Sequence, residues 1–530
     1  MTARLLLQIA FIAATLHADT ITIAIDAARD RHPINPAIYG VAFATGVQLR
    51  ELNVPLNRWG GNSTTRYNWQ LNASNHAQDY FFESIGGDDA DAFISETRAA
   101  GAEPMIAIPM IGWVARLGAN GDKLASFSVA KYGPQQETDP FMPDAGNGIK
   151  LDGQPVSDND PRDANVEVDS FFQQAWVQHI KSRFGGVRYY FLDNEPSLWF
   201  STHRDVHADG ATMDEIAGRM IDYAARIKAA DPNAIVAGPE EWGWFGYFYS
   251  GFDQQFSEKN GFSRFPDREA HGGAEYIPWV LGRIRTEEQA LSTRLLDAVS
   301  IHYYPQSGEF SDDMSASMQL LRNRSTRSLW DPNYLDESWI NDKVKLIPRL
   351  RAWAEAFRPG TPIGITEYNW GAERHINGAT AQADVLGIFG REGLDFAARW
   401  TTPDRGTPAY NSIATYRNYD GHGSTFGDIS VNAVVPNPDA IAAFAAIRSS
   451  DQALTIMVIN KTVSSATMNL QVSNFSGAAT AERWELTSAN VIARLKDFAP
   501  STLIDLPAQS ITLLVIPSNV HARRRAVRPR

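Results

Sequence analysis

Short, nearly continuous apolar runs recur eight times between residues 38 and 400, and most end in polar or aromatic residues. Strands that are covered on both faces of a parallel sheet show this pattern. The eight runs are 38–43, 54–59, 104–111, 188–193, 234–238, 296–303, 362–367 and 395–400. Amphipathic helical stretches lie between several of them, at 90–100, 169–184, 213–230, 274–290, 340–357 and 380–392. Strand alternating with helix in this way predicts an α/β fold, a (β/α)8 barrel of the TIM type.

After the eighth run the pattern changes to short strands with period-two alternation. They fall at 428–435, 453–460, 466–472, 480–487 and 510–516, a spacing typical of a β-sandwich. The segment 20–25 alternates in the same way and can pair into that sandwich. We therefore predict a barrel over 38–427 and a smaller all-β sandwich built from 19–37 plus 428–518.

The two ends of the chain differ from its body. Arg4 precedes an apolar run from Leu5 to Leu16, which is too short to span a bilayer and has the form of a secretory signal peptide. We predict cleavage after Ala18 and a secreted protein, extracellular or periplasmic. The last residues, 519–530, contain five arginines and are expected to be a disordered basic tail.

Composition narrows the classes of function. The chain has 530 residues, no cysteine and a formal net charge of −13. The absence of cysteine excludes disulfide frameworks, thiolate metal sites and cysteine nucleophiles. The negative charge argues against a nucleic-acid partner, because phosphate backbones select for surplus Lys and Arg. We expect a monomer without nucleic-acid or membrane partners.

Aromatic residues concentrate where the predicted barrel strands end. Eight of the 14 tryptophans lie at or just beyond those ends, and three long insertions, at 113–166, 242–273 and 305–339, follow strands there. Active sites of such barrels lie at that face, and sugar rings stack on aromatic planes. The ring-rich run 242–252 indicates either a sugar-binding rim or a loop packed on its own aromatic cluster.

Two glutamates stand at predicted strand ends. Glu195 follows the fourth run and Glu367 ends the seventh, so they should lie on opposite sides of the barrel mouth with room for a sugar ring between them. Burying a carboxylate is costly unless it is paired or functional. Each residue alone fits a salt bridge to an arginine equally well, but two of them favour a catalytic pair.

Several motifs resemble glycoside hydrolase family 44. They occur in chain order, and the first is long enough to be specific: residues 57–70 (NRWGGNSTTRYNWQ), 108–113 (IPMIGW), 193–196 (DNEP), 301–305 (IHYYP) and 365–369 (ITEYN). The resemblance runs from about residue 20 to 515. It implies a retaining endo-β-1,4-glucanase, often active on xyloglucan, with Glu195 as general acid/base and Glu367 as nucleophile.

The mechanism that such a pair would use, and the positions at strand ends, also suggest substrate-binding residues around the two glutamates. Asn194 is placed to contact the sugar 2-hydroxyl and Arg58 to hold Glu367, while His302 fits a sugar contact or a satisfied polar residue equally well. We expect Trp370 and Trp400 nearest the cleaved bond. The full predicted set is Asn194, Arg58, Trp59, Trp69, His302, Tyr303, Trp370 and Trp400.

The proposed chemistry needs no cofactor. Two groups of aspartates could still hold a structural calcium, which similar enzymes carry, because calcium prefers oxygen ligands. Solvated loops explain both groups as well, since no twelve-residue calcium loop is present. The groups are Asp152, Asp158, Asp160 and Asp163, and Asp88, Asp89 and Asp91.

Two alternatives stay open at this stage. One is a non-catalytic carbohydrate-binding barrel protein that kept the aromatic cleft. The other is a related hydrolase that acts on xylan or mannan or from chain ends. The sequence predicts β-glucan polysaccharide as the substrate, with cellulose-type glucan and xyloglucan as the first candidates.

Overall fold

The computed structural model describes residues 20–519. The predicted signal peptide, its cleavage site after Ala18 and nearly all of the predicted tail lie outside these residues. Within 20–519, no helix is both long and apolar enough to cross a bilayer.

The strands of the described range are numbered here in chain order. They are β1 Thr20–Asp26, β2 His32–Pro33, β3 Gly40–Ala42, β4 Leu56–Trp59, β5 Ala73–Asn75, β6 Glu83–Gly86, β7 Glu103–Ile108, β8 Trp113–Ala115, β9 Leu124–Ala125, β10 Thr138–Asp139, β11 Met142–Gly146, β12 Asn165–Glu167, β13 Tyr189–Leu192, β14 Ile235–Glu241, β15 Ala298–Tyr303, β16 Ile363–Tyr368, β17 Phe396–Arg399, β18 Ile429–Val434, β19 Ile441–Ile447, β20 Leu454–Asn460, β21 Ala466–Ser473, β22 Glu482–Leu486, β23 Ala493–Arg494, β24 Ile504–Leu506 and β25 Ser510–Ile516.

The α-helices are numbered in the same way. They are α1 Gly46–Leu52, α2 Ala90–Ala99, α3 Val129–Tyr132, α4 Ser170–Phe184, α5 Trp199–Thr202, α6 Met213–Ala230, α7 Trp244–Phe248, α8 Gly251–Asn260, α9 Pro266–Ala270, α10 Tyr276–Leu291, α11 Ala316–Ser325, α12 Leu346–Phe357, α13 Ile376–Arg391 and α14 Pro408–Arg417. Short 3-10 turns connect several of them, including Asn62–Arg66 and Pro196–Leu198.

Eight parallel strands close into a barrel, in the order β3, β4, β7, β13, β14, β15, β16 and β17. These are the eight apolar runs of the sequence, so the barrel prediction is confirmed. The three long insertions follow β7, β14 and β15, which places them on the carboxyl-terminal face. Side chains fill the barrel interior below that face, among them Met105, Phe191 and Phe396. Gly364 makes room for this packing, because a Cβ there would lie 2.2 Å from the Phe396 ring.

Local signals in the sequence explain where the barrel helices begin and end. The Asp169 carboxylate accepts from the amides of Phe171 and Phe172 at the start of α4, and Gly185 ends that helix at φ 78°. Helix α6 is capped by Thr212, and Asp214 lies in its first turn beside the positive end of the helix dipole.

The carboxyl-terminal strands form the second domain with β1 and β2. Its strand order is β23, β22, β25, β20, β19, β18, β1, β21 and β24, and β2 also pairs with β18. Strand β1 lies antiparallel to β18 and parallel to β21, so both ends of the described chain contribute to one sandwich. Its apolar core includes Ile23, Ile456, Val458, Met468 and Leu514. The predicted fold class, a barrel with a smaller β-sandwich, is confirmed.

Helix α13 lies between the two domains, and every residue from Ile376 to Gly390 is buried. On one side Phe389 packs edge-on against Tyr368 of β16, at 5.0 Å between ring centroids. On the other side the sandwich residue Phe444 packs over Gly387, where a Cβ would lie 2.1 Å from the phenylalanine ring. The barrel and the sandwich therefore share one continuous apolar core.

Candidate active site

The two predicted catalytic glutamates meet at the carboxyl-terminal mouth of the barrel. Glu367 projects from β16, and Glu195 follows β13 in a left-handed backbone conformation with φ 45°. His302 of β15 lies between them. One side-chain ligand atom from each of these three residues lies within 4.8 Å of the other two. The barrel thus brings two carboxyl groups from different strands close enough to contact the same sugar ring.

Arg58 and Tyr304 bind the carboxylate of Glu367. The Arg58 guanidinium donates to Oε1 at 2.7 Å, and the Tyr304 hydroxyl donates to Oε2 at 2.8 Å. Arg58 also donates to Oδ1 of Asn194 at 3.3 Å. Since Arg58 is fully buried, its charge acts at low dielectric and stabilises the ionised form of its partners. Both oxygens of Glu367 are therefore fixed in orientation.

Glu195 has a different environment. Burial raises the pKa of its carboxyl group, and the negative charge of Glu367 adds to that rise, while the hydrogen bond and charge of His302 oppose it. The ring nitrogen Nδ1 of His302 lies 2.8 Å from Oε1 of Glu195. Among the described residues this is the one hydrogen bond to the Glu195 side chain, and it leaves Oε2 for a ligand.

His302 carries a positive charge in this site. Burial lowers its pKa, but the charge of Glu367 and hydrogen bonds to Glu195 and Glu240 outweigh burial and raise the pKa to about 10. At neutral pH both ring nitrogens are then donors. The ring bridges Glu195 on one side and Glu240 on the other.

Glu240 is a third carboxylate, and the sequence reading missed it. It lies at the end of β14, fully buried, with its side chain turned into the barrel below the two predicted catalytic residues. The signal was present, because Pro239, Glu240 and Glu241 directly follow an apolar strand, as Glu195 does. The predicted strand ends at residue 238 and the predicted insertion begins at 242, so these carboxylates fall outside both.

Tyr304, not Tyr303, contacts Glu367. Successive side chains of a strand point to opposite faces, so His302 and Tyr303 cannot both face the barrel interior. Tyr303 points outward, packs against Trp370 at 5.8 Å between ring centroids, and donates to Asp336 at 3.4 Å. The prediction that Tyr303 binds substrate is therefore wrong, and period-two alternation would have selected Tyr304.

Three of the four predicted sugar-stacking tryptophans do not line the site. Trp370 is buried beneath it and donates to Ser325 at 3.0 Å. Trp59 is 6% exposed and packs among Phe43, Tyr67 and Phe93 outside the barrel wall. Trp69 donates to the Phe172 carbonyl at 3.3 Å and packs on helix α4. These large rings serve the interfaces between strands and helices, where apolar area gives the most stability.

Trp400 does lie at the mouth. The Arg58 guanidinium lies 5.6 Å from its ring centroid, and Gly61 approaches the ring so closely that a Cβ would lie 2.4 Å away. Asn194 extends the polar side of the mouth, because its amide donates to Asn62 at 3.1 Å and Asn62 donates to Asp79 at 3.0 Å.

Other exposed rings stand further along the rim. Trp339 is 55% exposed, and its indole nitrogen donates to Gln306 at 3.2 Å. Phe310 is 50% exposed and packs edge-on against Tyr304. Rings of the run 242–252 pack mostly on one another and on their neighbours, with Phe245 and Tyr249 at 4.6 Å. That run is thus largely its own aromatic cluster.

The two aspartate groups considered for calcium are dispersed among separate partners. Asp163 pairs with Lys131 at 2.6 Å, and Asp160 caps a 3-10 turn. In the other group Asp89 caps α2, whereas Asp91 pairs with His179 at 2.8 Å. Within residues 20–519, neither group brings three ligand atoms together as the barrel mouth does.

Comparison with known proteins agrees with this site. The sequence model of glycoside hydrolase family 44 matches residues 73–307. CelM2, a bifunctional glucanase-xylanase from a metagenome library, is 59% identical, and the alignment covers 94% of this chain and 99% of that one with a TM-score of 0.93. The chain belongs to glycoside hydrolase family 44. The predicted family and the prediction of a glycoside hydrolase are confirmed.

Two further relatives are similar to this chain over most of its length. A Paenibacillus polymyxa xyloglucanase of family 44 is 26% identical, with a TM-score of 0.78 over 95% of this chain and 100% of that one. The beta-mannanase/endoglucanase A of Caldicellulosiruptor saccharolyticus is 30% identical over 487 residues. The alignment covers 83% of this chain but only 34% of that relative's length.

Proposed function

We propose that this chain is a secreted, retaining, endo-acting glycoside hydrolase that cleaves β-1,4-glucan backbones, including xyloglucan, by double displacement. The observation that carries the proposal is the separation of Glu195 and Glu367, whose nearest ligand atoms lie within 4.8 Å. Retaining glycosidases hold their two carboxyl groups about 5–5.5 Å apart, whereas inverting ones leave about 6.5–9.5 Å for a water molecule.

The first step uses the two glutamates in different protonation states. The Glu367 carboxylate attacks the anomeric carbon and forms a glycosyl ester, while Glu195 transfers its proton to the departing glycosidic oxygen. Arg58 and Tyr304 hold the attacking carboxylate in place. Because His302 occupies Oε1 of Glu195, the transferred proton lies on Oε2, the oxygen without a hydrogen-bond partner among the described residues.

The second step returns the enzyme to its starting state. The Glu195 carboxylate takes a proton from water, the resulting hydroxide attacks the anomeric carbon, and the ester bond to Glu367 breaks. Two inversions at the same carbon give net retention. The reaction needs only these side chains and water.

Charge is conserved within the site through the first step. Before it, Glu240 and Glu367 balance Arg58 and His302, and Glu195 is neutral. After it, Glu367 is a neutral ester and Glu195 carries the negative charge. Since no net charge develops in a buried site, the cost of burying charge does not rise during the reaction.

An open rim supports the endo mode of action. Trp400 follows β17, whereas Phe310 and Trp339 lie on the insertion after β15, so these rings stand on loops of two different barrel strands, an arrangement that suits a chain crossing the mouth. A single deep pocket would suit a chain end instead.

The decisive experiment is the product profile on barley β-glucan, xyloglucan, xylan and glucomannan, with the anomeric form of the first product read by ¹H NMR. We expect random mid-chain cuts in β-glucan or xyloglucan and a β-configured first product. An α-configured first product would reject the retaining assignment. Release of single sugars or dimers from the start would reject the endo mode, and binding without any cleavage would favour the non-catalytic alternative.

Activity on xylan or mannan is the second candidate. It is favoured by the relatives themselves, one of which is described as a glucanase-xylanase and another as a beta-mannanase/endoglucanase. The same four polysaccharides rank these backbones by kcat/KM, and a xylan or glucomannan value above that for β-glucan would make this candidate the main activity.

A further inference from the structure

Glu240 lies beneath the two proposed catalytic residues and is closed off from solvent. Its side chain is 0% exposed, at the end of β14 where the pairing with β15 shifts register. Its backbone is left-handed, with φ 59°, a conformation that is unfavourable for a non-glycine residue. A strained backbone of this kind persists only where many surrounding contacts hold it in place. Here the left-handed conformation directs the Glu240 carboxylate into the barrel.

Four side chains donate hydrogen bonds to this carboxylate. The Ser300 hydroxyl donates to Oε1, and the Thr366 hydroxyl donates to Oε2 at 2.8 Å. His302 and Arg58 donate to Oε2 at 3.2 and 3.4 Å. Burial would raise the pKa of Glu240, but the bonds and charges of His302 and Arg58 outweigh burial and lower it. Glu240 is therefore ionised wherever the enzyme is folded at neutral pH.

The two cations bound by Glu240 are the ones that contact the proposed catalytic pair. Arg58 also pairs with Glu367 at 2.7 Å, and His302 also pairs with Glu195 at 2.8 Å. Because Glu240 holds Nε2 of His302, the opposite nitrogen, Nδ1, is aimed at Glu195. The charged or titratable side chains that face this imidazole are Glu195, Glu240, Glu367 and Arg58.

We propose that Glu240 is a positioning residue of the hydrolytic reaction: its buried carboxylate fixes the His302 ring and keeps it a double donor, so that Glu195 presents Oε2 to the glycosidic oxygen. Glu240 does not touch the substrate. This inference rests on the proposed roles of Glu195 and Glu367, since it assigns the device that orients one of them.

The neighbouring residue provides a matched control. Glu241 has the same side chain, the same strand and the same complete burial, but it points to the other face of β14. There it accepts from Ser197 at 2.6 Å and Tyr276 at 2.7 Å, and burial raises its pKa to about 8. Glu241 is mostly protonated at neutral pH, so an amide replaces it with little change in charge.

The test compares Glu240→Gln with Glu241→Gln in the full chain. We expect Glu240→Gln to lower kcat on β-glucan by about 100-fold with little change in KM, as misplacement of a catalytic group does. Glu241→Gln should stay near the wild-type rate. Circular dichroism and the binding of a cellulose oligosaccharide in the cold check that both variants are folded.

A second measurement separates positioning from general damage. Side-chain ¹⁵N NMR follows the 11 histidines, and the signal missing from His302→Gln identifies His302. Removing the Glu240 charge should lower the pKa of His302 by about 1 to 3. In a double-mutant cycle, the effects of Glu240→Gln and His302→Gln should not add, because the first acts through the second.

Three results would overturn this inference: equal activities of the two glutamine variants, an unmoved His302 titration in Glu240→Gln, or additive effects in the cycle. Failure of the proposed function has a separate signature. In that case the wild type releases no reducing ends from any of the four polysaccharides, while the His302 titration still reports whether Glu240 controls the imidazole.

Discussion

The backbone amide of Glu195 donates a hydrogen bond to the carbonyl oxygen of Glu240, with 3.0 Å between nitrogen and oxygen. Both residues have left-handed backbones, with φ 45° and 59°. The main chain of Glu240 thus supports the main chain of the proposed acid/base, while its side chain supports the histidine that binds the acid/base carboxyl. The ends of two neighbouring strands are thus hydrogen-bonded to each other at the point where both backbones are left-handed.

Removal of the proposed nucleophile, Glu367, gives the clearest kinetic prediction. Glu367→Ala should abolish hydrolysis of glucan, because no carboxylate remains to form the ester. Azide fits the space left by the side chain and should restore turnover of an aryl cellobioside with a good leaving group. The product would be the α-glycosyl azide, detected by NMR. Near wild-type hydrolysis of glucan by Glu367→Ala would contradict the assignment.

The pH profile should report the proton on Glu195. Burial and the Glu367 charge raise the pKa of this group, so it stays protonated above the ordinary range of a glutamate. The general acid must be protonated to act, and kcat/KM on glucan should therefore fall as pH rises through that pKa.

Glu195→Ala tests the origin of this alkaline limb. On a dinitrophenyl cellobioside, whose leaving group needs no proton, the variant should form the glycosyl ester without the alkaline limb and then accumulate it. Stopped-flow release of dinitrophenolate would show a burst. If the variant keeps the wild-type alkaline limb, another group carries the proton.

Trp339 should contribute to binding of long chains only. Its indole nitrogen donates to Gln306, whose amide donates to the carbonyl of Tyr304 at 2.9 Å, so the exposed ring is fixed beside Tyr304, which binds Glu367. Trp339→Ala should lower kcat/KM on long oligosaccharides by about 10-fold, in line with loss of about 1–2 kcal/mol of ring contact.

The control for Trp339 is Trp279, which packs on His271 in the outer helix layer. Trp279→Ala should leave the dependence of kcat/KM on chain length unchanged. A short aryl glycoside should be cleaved equally by all three proteins. Equal losses on short and long substrates would remove Trp339 from the cleft.

Two helix glycines should respond to alanine in opposite directions. Gly387 of α13 is covered by Phe444, and the added methyl of Gly387→Ala should cost about 1–3 kcal/mol of unfolding free energy through overpacking. Gly218 of α6 has no atom within 4 Å of an added Cβ. Gly218→Ala should therefore gain about 0.5–1 kcal/mol from helix propensity. Urea midpoints of both variants measure the difference, and the reverse order would contradict the packing described.

The barrel was readable from the sequence because parallel strands buried on both faces give continuous apolar runs. Strand β19 was not, since Ala442, Ala443, Ala445 and Ala446 lack the branched side chains that indicate a strand. Tertiary packing explains the alanines of β19, because one face of this strand packs on the sandwich core and the other packs on α13. No pattern in the local sequence indicates that both faces of this strand are buried.

The sequence predicted the two main residues of the site, but it predicted fewer of the residues around them. Glu195 and Glu367 stand out as carboxylates that end apolar strands, and Glu240 would have stood out under the same rule. The tryptophans near strand ends could not be sorted, because a ring at a strand end faces either the mouth or the helix layer. Only the direction of each side chain, as for Trp370 and Trp400, decides between these.

Helix α13 is buried on all sides from Ile376 to Gly390. A polypeptide cut before residue 428 would keep the whole helix but lose Phe444 and its neighbours, and the uncovered side would be a hydrophobic stripe along the barrel. Gene rearrangements that exchange catalytic barrels among modular enzymes would therefore have to carry this sandwich along. In that sense the barrel and the sandwich are one heritable module.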